Sequence, residues 1–420
     1  MKNNLNKTPV LPEGSFLKAS RNIPGQVWLL VLSAVILMSG YGMVVPLLPV
    51  YGERIGASAW ELGILVAAFF CGRAIGQLPS GSLADRLGRR PAILTAIAGY
   101  TICAALFAMA QIPIYLIIAR ALQGLSAAMF TVSVRALISD LTPVPDRGFA
   151  HGLLSSGVNS GFIIGPVCGA ILVAAYDIRT PFLCLTAICA VAFIPILRLR
   201  RKQRMTFSVR IETKKEISGI SRKIPLIYLG ISNFFFMAAL GIAMTLFPIF
   251  GEKFVDGGLT FVSAAFSIAA VCGFFASPIA GRISDILGRV PLIIFGALLL
   301  VVEPLSVIFS TSPVVIGIAY GLGGIGTTSY FNSMHAAVAD FFGGHERGRA
   351  AGFVGLCSDA GGIAGSLGSA AMWQFFSLRT AFVIEAVLLM LMALFVYIVK
   401  KRLTIEKVLP AITRESMPAG

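Results

Sequence analysis

Twelve times along its 420 residues the chain runs for about twenty positions with almost no charge, and that limits its fold severely. The runs fall at 27–50, 61–82, 91–110, 113–138, 150–176, 180–198, 225–250, 259–283, 290–310, 313–338, 350–375 and 379–399. In hydrocarbon no water satisfies a backbone N–H or C=O, so a spanning segment is either a helix or part of a closed barrel. Barrel strands alternate polar and apolar residues over about ten positions, and these runs do not alternate. The expected fold class is an all-α polytopic membrane protein. A composition of 57% hydrophobic and 13% charged residues agrees, because a soluble domain could not cover so much apolar surface.

The net charge of +15 would suit a nucleic-acid partner, but its placement argues against one. With both termini cytoplasmic, only Arg54, Arg179, Lys253 and Arg379 of the 34 Lys and Arg face outward, while Arg73, Arg120 and Arg135 lie within runs. That asymmetry follows the positive-inside rule, so the partner is a lipid bilayer and not nucleic acid. Trp28, Trp60 and Trp373 each fall at the end of a run, where indole rings favour the interface. The first run is too long for a signal peptide and reads as an uncleaved anchor. The seven cysteines are scattered through the runs without metal spacing, so neither a metal nor a cofactor is expected.

The halves repeat. GSLADRLGRRP at Gly81–Pro91 returns 200 residues later as GRISDILGRVP at Gly281–Pro291. Asp140 and Arg147-Gly148 recur as Asp340 and Arg347-Gly348, Gly161 and Gly165 as Gly361 and Gly365, and Arg179-Thr180 as Arg379-Thr380. One residue out of phase, PVYGER at Pro49–Arg54 matches PIFGEK at Pro248–Lys253. A shared register across six runs indicates duplication, and a paired set of membrane bundles is transporter architecture. The expected organisation is a tail at 1–26, a six-helix bundle at 27–198, a basic linker at 199–224, a second bundle at 225–399 and a tail at 400–420. The stretch Arg198–Ile224 carries ten basic residues and two acids, as a segment beside anionic lipid would.

Several marks together resemble the major facilitator superfamily, within its twelve-helix drug:proton antiporter group, over residues 27–400. They are the turn motif at Gly81–Arg90, RALQG at Arg120–Gly124, GFIIGPVCGA at Gly161–Ala170, and Pro46 with Pro49. The resemblance implies two pseudo-symmetric six-helix bundles that expose a central cavity to each membrane face in turn. It further implies export of a small amphipathic molecule in exchange for protons, in the bacterial cell membrane. The chain is expected to work as a monomer.

In the turn motif, Gly81 and Gly281 suit close helix approach and Gly88 and Gly288 suit a tight reversal. By the resemblance, Asp85 faces the N-terminus of the eleventh helix near Ala350 when the cytoplasmic side is closed, with Asp285 its repeat. Arg89 then pairs with Asp140 and Arg289 with Asp340, beside Arg86, Arg147 and Arg347. The bland alternative leaves these arginines as positive-inside anchors. In the fifth run Gly152, Gly161, Gly165 and Gly169 offer a face for tight packing, and Pro166 removes a helix hydrogen bond. The second half has Ser366 and Ser369 where Pro166 and Gly169 stand, and the resemblance ties the fuller series to export.

An Arg at mid-membrane costs about 2.5–3.5 kcal/mol, so Arg120 should face a cavity or a partner, or else snorkel outward. The resemblance gives it a role in proton exchange, with Gln123 nearby. Arg73 and Asp359 both lie roughly 12–14 Å from the cytoplasmic ends of their helices at about 1.5 Å per residue. In the resembling fold those helices touch, which suggests an ion pair that closes an inner gate and breaks as the cavity opens inward. A static pair is the alternative. Glu303, Glu385 and His335 are further candidates for carrying a proton, though a satisfied structural role suits His335 better. The first run has no acid, so coupling would use the second half or a carboxylate on the substrate.

By the resemblance, helices 1, 4, 7 and 10 line the cavity. The candidate lining is Met38, Tyr41, Met129, Phe130, Asn233, Phe236, Met237, Tyr320, Tyr330 and Asn332. Aromatic and Met side chains with few charges suit lipophilic or weakly cationic compounds. Uptake by symport in the same fold and a non-transporting membrane sensor are the rival functions. No phosphate-binding loop, nucleophile arrangement or metal cluster speaks for an enzyme.

Overall fold

The computed structural model describes residues 23–143, 146–199, 223–342 and 344–415. Most of the expected N-terminal tail and basic linker, and the last five residues, lie outside that set. The described residues hold twelve helices able to cross a membrane. They are α1 (Gly25–Val44, resumed at Leu48–Arg54), α2 (Ala59–Leu87), α3 (Arg89–Met109), α4 (Pro113–Leu141), α5 (Arg147–Ala175) and α6 (Thr180–Leu197). The second half supplies α7 (Lys223–Phe254), α8 (Gly258–Leu287), α9 (Arg289–Phe309), α10 (Pro313–Phe341), α11 (Gly344–Phe375) and α12 (Leu378–Glu415). No strand occurs among the described residues.

Helix ends follow local chemistry. Ser58 caps α2, its hydroxyl accepting from Glu61 N at 3.3 Å while the Glu61 carboxylate accepts from Ser58 N at 2.8 Å. The turns from α2 to α3 and from α8 to α9 pass through Gly88 and Gly288 at φ of 92° and 93°, a region that penalises any side chain. Proline accounts for three interruptions. The first run was expected to be continuous, but α1 breaks at 45–47, where Pro46 and Pro49 withhold two amide donors. Likewise α6 is interrupted at Ala192, before Pro195, and α9 at Val301, before Pro304. Pro166 leaves α5 unbroken. The last helix runs to Glu415, past the expected boundary at 399.

Within each bundle, glycines bring helices to backbone distance. Along α5, Gly161, Gly165 and Gly169 lie on α1 at Met38–Met43, and a Cβ on Gly165 would fall 2.6 Å from Met43 N. Along α11, Gly361 and Gly365 lie in the same way on α7 at Phe234 and Ala238. Between the bundles, α2 packs on α11 and α5 on α8. We call the side bearing the Gly88 and Gly288 turns the motif face. At that face a Cβ on Gly81, Gly148, Gly152, Gly281, Gly348 or Gly352 would meet nothing within 4 Å. The expected close approach at Gly81, Gly281 and Gly152 is therefore absent, because the bundles diverge there.

Gly165→Leu should prevent assembly of the N-terminal bundle, since backbone on one side cannot yield and overpacking costs about 1–3 kcal/mol even where neighbours can move. Gly152→Ala should be neutral or stabilising by up to about 1 kcal/mol through helix propensity. Thermal unfolding of the detergent-purified variants checks both, and equal behaviour of the two would contradict the packing described.

Candidate functional site: a central cavity and the charges around it

A cavity of about 600 Å³ lies between the bundles, within the range of pockets for small molecules. Its deep end holds Tyr320 and Glu303, and its other end holds Arg135 and His335, six residues from the motif-face ends of α4 and α10. From Tyr320 to His335 the wall of α10 spans about 22 Å at 1.5 Å per residue. Arg135 and His335 are exposed, so the cavity opens at the motif face. His335 donates from Nδ1 to Phe331 O at 2.8 Å and stacks on the Phe331 ring.

The opposite face is shut by a reciprocal set of ion pairs. Arg54 reaches Glu252 at 2.5 Å, and Lys253 pairs with Glu53. Each bundle thus presents the same acid–base dipeptide to the other, as a two-fold axis demands. The PVYGER and PIFGEK match marks both dipeptides in the sequence, but the match alone does not pair them. Below the pairs, α2 and α11 stay in contact from Gly63, against Ser366, down to Gln77, against Gly355.

Near the end of that contact, Arg73 and Asp359 form an ion pair between the bundles in the membrane interior. Arg73 Nε donates to Asp359 Oδ1 at 2.6 Å, and Gln77 Nε2 donates to Oδ2 at 2.8 Å. Asp359 is fully buried, and the Arg73 guanidinium lies 5.6 Å and 5.4 Å from the Phe69 and Phe70 rings. The pair is made while the motif face is open, which corrects the expectation that opening breaks it. Its depth explains this: the helices separate only beyond Gln77. Gln77 was missed, although it sits one turn from Arg73 on the same side of α2.

Arg120 is 3% exposed and has no carboxylate partner among the described residues. Its Nη1 donates to Gln123 Oε1 at 2.6 Å, and its guanidinium lies 4.7 Å from the Phe69 ring and 5.5 Å from that of Tyr41. Its Nε is unpartnered. In the turn motifs Arg89 bridges Asp85 at 2.6 Å and Asp140 at 3.3 Å, and Arg289 bridges Asp285 and Asp340, the latter at 2.9 Å. Asp85 is exposed, held by its own turn and not by the start of α11. Arg86 is exposed, Arg147 donates to Thr142 O at 3.2 Å, and the Arg347 side chain lies outside the described set. Arg90, not foreseen, donates to the carbonyls of Ile196 and Leu197 at the end of α6.

Of the expected lining, Met38, Phe130, Tyr320 and Asn332 reach the cavity. Tyr41, Met129, Asn233, Phe236, Met237 and Tyr330 are buried and do not line it. Tyr330 stacks on Phe236 at 3.7 Å and bonds Asn233 at 3.3 Å, while Asn233 donates to Val354 O. In their place α5 and α8 line the cavity, with Asn159, Phe162, Phe266 and Phe274 among their side chains.

Fold and cavity define a polytopic helical membrane protein of two related six-helix bundles around a central hollow. The model of the Major Facilitator Superfamily matches residues 30–268 and 229–416, and the chain belongs to that family. The chain is 34% identical over 169 residues to the quinolone resistance protein NorA of Staphylococcus aureus, covering 40% of this chain and 43% of that protein. It is 28% identical over 244 residues to multidrug resistance protein 2 of Bacillus subtilis, covering 56% and 61%. The matched region thus spans less than two thirds of either relative. Among solved structures, a POT family transporter in complex with 5-aminolevulinic acid superposes with a TM-score of 0.77 at 13% identity, over 91% of this chain and 97% of that one. A bacterial homologue of the lysosomal transporter Spinster, in an inward-facing and occupied conformation, gives 0.74 at 15% identity, over 90% and 97%.

Arg73→Ala should destabilise the protein by about 3 kcal/mol, because it leaves a buried carboxylate with only Gln77. Asp359→Asn should cost less, since Arg73 is 29% exposed and can turn to water. Unfolding midpoints in detergent test the order, and an Arg73→Ala midpoint equal to wild type would contradict it. Reversing Arg54 to Glu should favour opening of the shut face by up to about 1 kcal/mol per pair lost, and Arg54→Glu/Glu252→Arg should restore closure. Solvent labelling of a cysteine placed near Gly63 reads this directly.

Proposed function

We propose that the chain is a secondary active transporter that exports a small amphipathic molecule in exchange for protons, by alternating access in the bacterial cell membrane. The observation that carries this reading is the 600 Å³ cavity, open at the motif face and shut at the other by Arg54–Glu252 and Lys253–Glu53. By the positive-inside rule the motif face is cytoplasmic, as are both termini. The conformation is then inward-facing, ready to take cargo from the cytoplasm or the inner leaflet.

The lining suits amphipathic compounds. Aromatic and Met side chains supply adaptable apolar contact, while Asn159, Asn332, Arg135, His335 and Glu303 supply scattered polarity. Quinolone resistance and multidrug resistance, the properties named for the two relatives, match such a cargo. Arg73–Asp359 serves as the fulcrum about which α2 and α11 tilt, since the pair is made with the cavity open. Arg120 and Gln123 keep a positive charge beside that fulcrum. On closure of the cytoplasmic side, Asp85 leaves solvent and docks at the start of α11, while Arg89–Asp140 and Arg289–Asp340 brace the two turns.

Everted membrane vesicles containing the protein should accumulate a fluorescent lipophilic cation such as ethidium when acidified inside. Dissipating the pH gradient should abolish that accumulation. Accumulation that persists without the gradient, or its absence for ethidium and quinolones alike, would contradict the proposal.

A further inference from the structure

Two acids are buried in the interior of the second bundle. Glu303 on α9 and Glu385 on α12 are 7% and 2% exposed, and neither makes an ion pair among the described residues. The α9 segment Val302–Phe309 that carries Glu303 packs on α12, which carries Glu385, and on α10, whose Tyr320 is the ionisable side chain beside Glu303 on the cavity wall. Glu385 Oε2 has no hydrogen-bond partner. Glu303 lies against Gly323 so closely that a Cβ there would overlap its carboxylate, and it is the sole acid on the cavity wall.

Duplication does not explain this cluster. Two hundred residues earlier, the positions of Glu303, Tyr320, Gly323 and Glu385 hold Cys103, Arg120, Gln123 and Leu185. Where the first bundle fills its interior with the Arg120–Gln123 bond, the second has glycine at the equivalent of Gln123, and the Glu303 carboxylate occupies the space. Packing alone would be served by an apolar side chain at either acid, at far lower desolvation cost. Carboxylates that share a desolvated site without a counter-cation titrate as one unit and hold a proton between them.

We propose that Glu303 and Glu385 form the proton-exchange pair of this chain, with Glu303 the member that meets cargo. The inference rests on the proton-exchange reading above and assigns the group that performs it. Cationic cargo entering from the cytoplasm reaches Glu303 at the deep end of the cavity. The Glu303 O–H bond breaks, the proton passes to cavity water, and the carboxylate pairs with the cation. Once the cavity faces outward, a proton from that side bonds to the Glu303 oxygen and the cation leaves. Because only one of the two carboxylates reaches the cavity, one proton exchanges per cargo, and a monovalent cation is carried without net charge movement. Glu385 is a positioning residue that sets the pH at which Glu303 exchanges.

The test uses the full chain in proteoliposomes with ethidium as probe. Wild type should accumulate ethidium against a pH gradient, release protons on ethidium addition, and be indifferent to an imposed membrane potential. Glu303→Gln should still equilibrate ethidium but neither accumulate it nor release protons, while Glu303→Asp should restore both. Glu385→Gln should keep coupling but move its pH midpoint by about one unit or more. If Glu303→Gln accumulates ethidium like wild type, or the Glu385→Gln midpoint does not move, the pair is overturned and the exchange reading stands. Wild type that releases no protons overturns both. The Glu385→Gln midpoint keeps the proposal falsifiable should Glu303→Gln fail to assemble.

Discussion

Backbone-to-backbone contact along glycine faces is the constraint on which the rest of the structure depends. In lipid there is no hydrophobic gain from bringing one apolar helix against another, so association relies on close packing. Gly165 on α1 and Gly365 on α7 provide it within the bundles, and Gly124 against Phe69 and Gly324 against Ala269 repeat it for α2–α4 and α8–α10. Each bundle is thereby locked at distances that a single methyl would disturb. Between the bundles the contacts of α2 with α11 end at Gln77 and Gly355, and beyond them the helices diverge. Stiffness inside each lobe and a seam between them are the mechanical conditions for tilting as rigid bodies.

The buried charges divide between that seam and the interiors of the two lobes. Asp359 is satisfied from the other bundle by Arg73 and Gln77, so a charge too costly to bury alone is kept where both lobes contribute. Arg120 is held inside the first bundle by Gln123 and two aromatic faces. The second bundle has Tyr320 at the position of Arg120 and buries acids elsewhere, with Glu303 and Glu385 in place of Cys103 and Leu185. The duplication supplied two similar frames, and the chemistry that distinguishes them is concentrated in these few positions.

Much of this was legible in the sequence. Twelve spans follow from hydrocarbon thickness and charged turns, and depth counting from the helix ends brought Arg73 and Asp359 to one level. The turn pairs Arg89–Asp140 and Arg289–Asp340 followed from the repeat with the resemblance. The cavity wall was harder, for a physical reason. In a soluble helix the apolar stripe marks the interior, but in a membrane the lipid face, the bundle interior and the cavity wall are all apolar. Nothing in the local pattern separated Tyr330, which packs on Phe236, from Asn332, which meets the cavity one turn-fraction away. The same ambiguity hid the part played by α5 and α8. The reciprocal Arg54–Glu252 and Lys253–Glu53 pairs were readable from the repeat once a two-fold axis between halves was imposed.

Two stiff lobes that tilt about the α2–α11 seam open one face as they close the other. Spin labels at Ser82 and Ala351 report the motif face, and labels at Gly56 and Thr260 report the opposite face, in a background with the seven native cysteines replaced. Electron–electron distance measurements should find that the first distance shortens as the second lengthens when pH or ethidium shifts the population. Distances that change together at both faces, or that change between two labels within one lobe, would contradict the account.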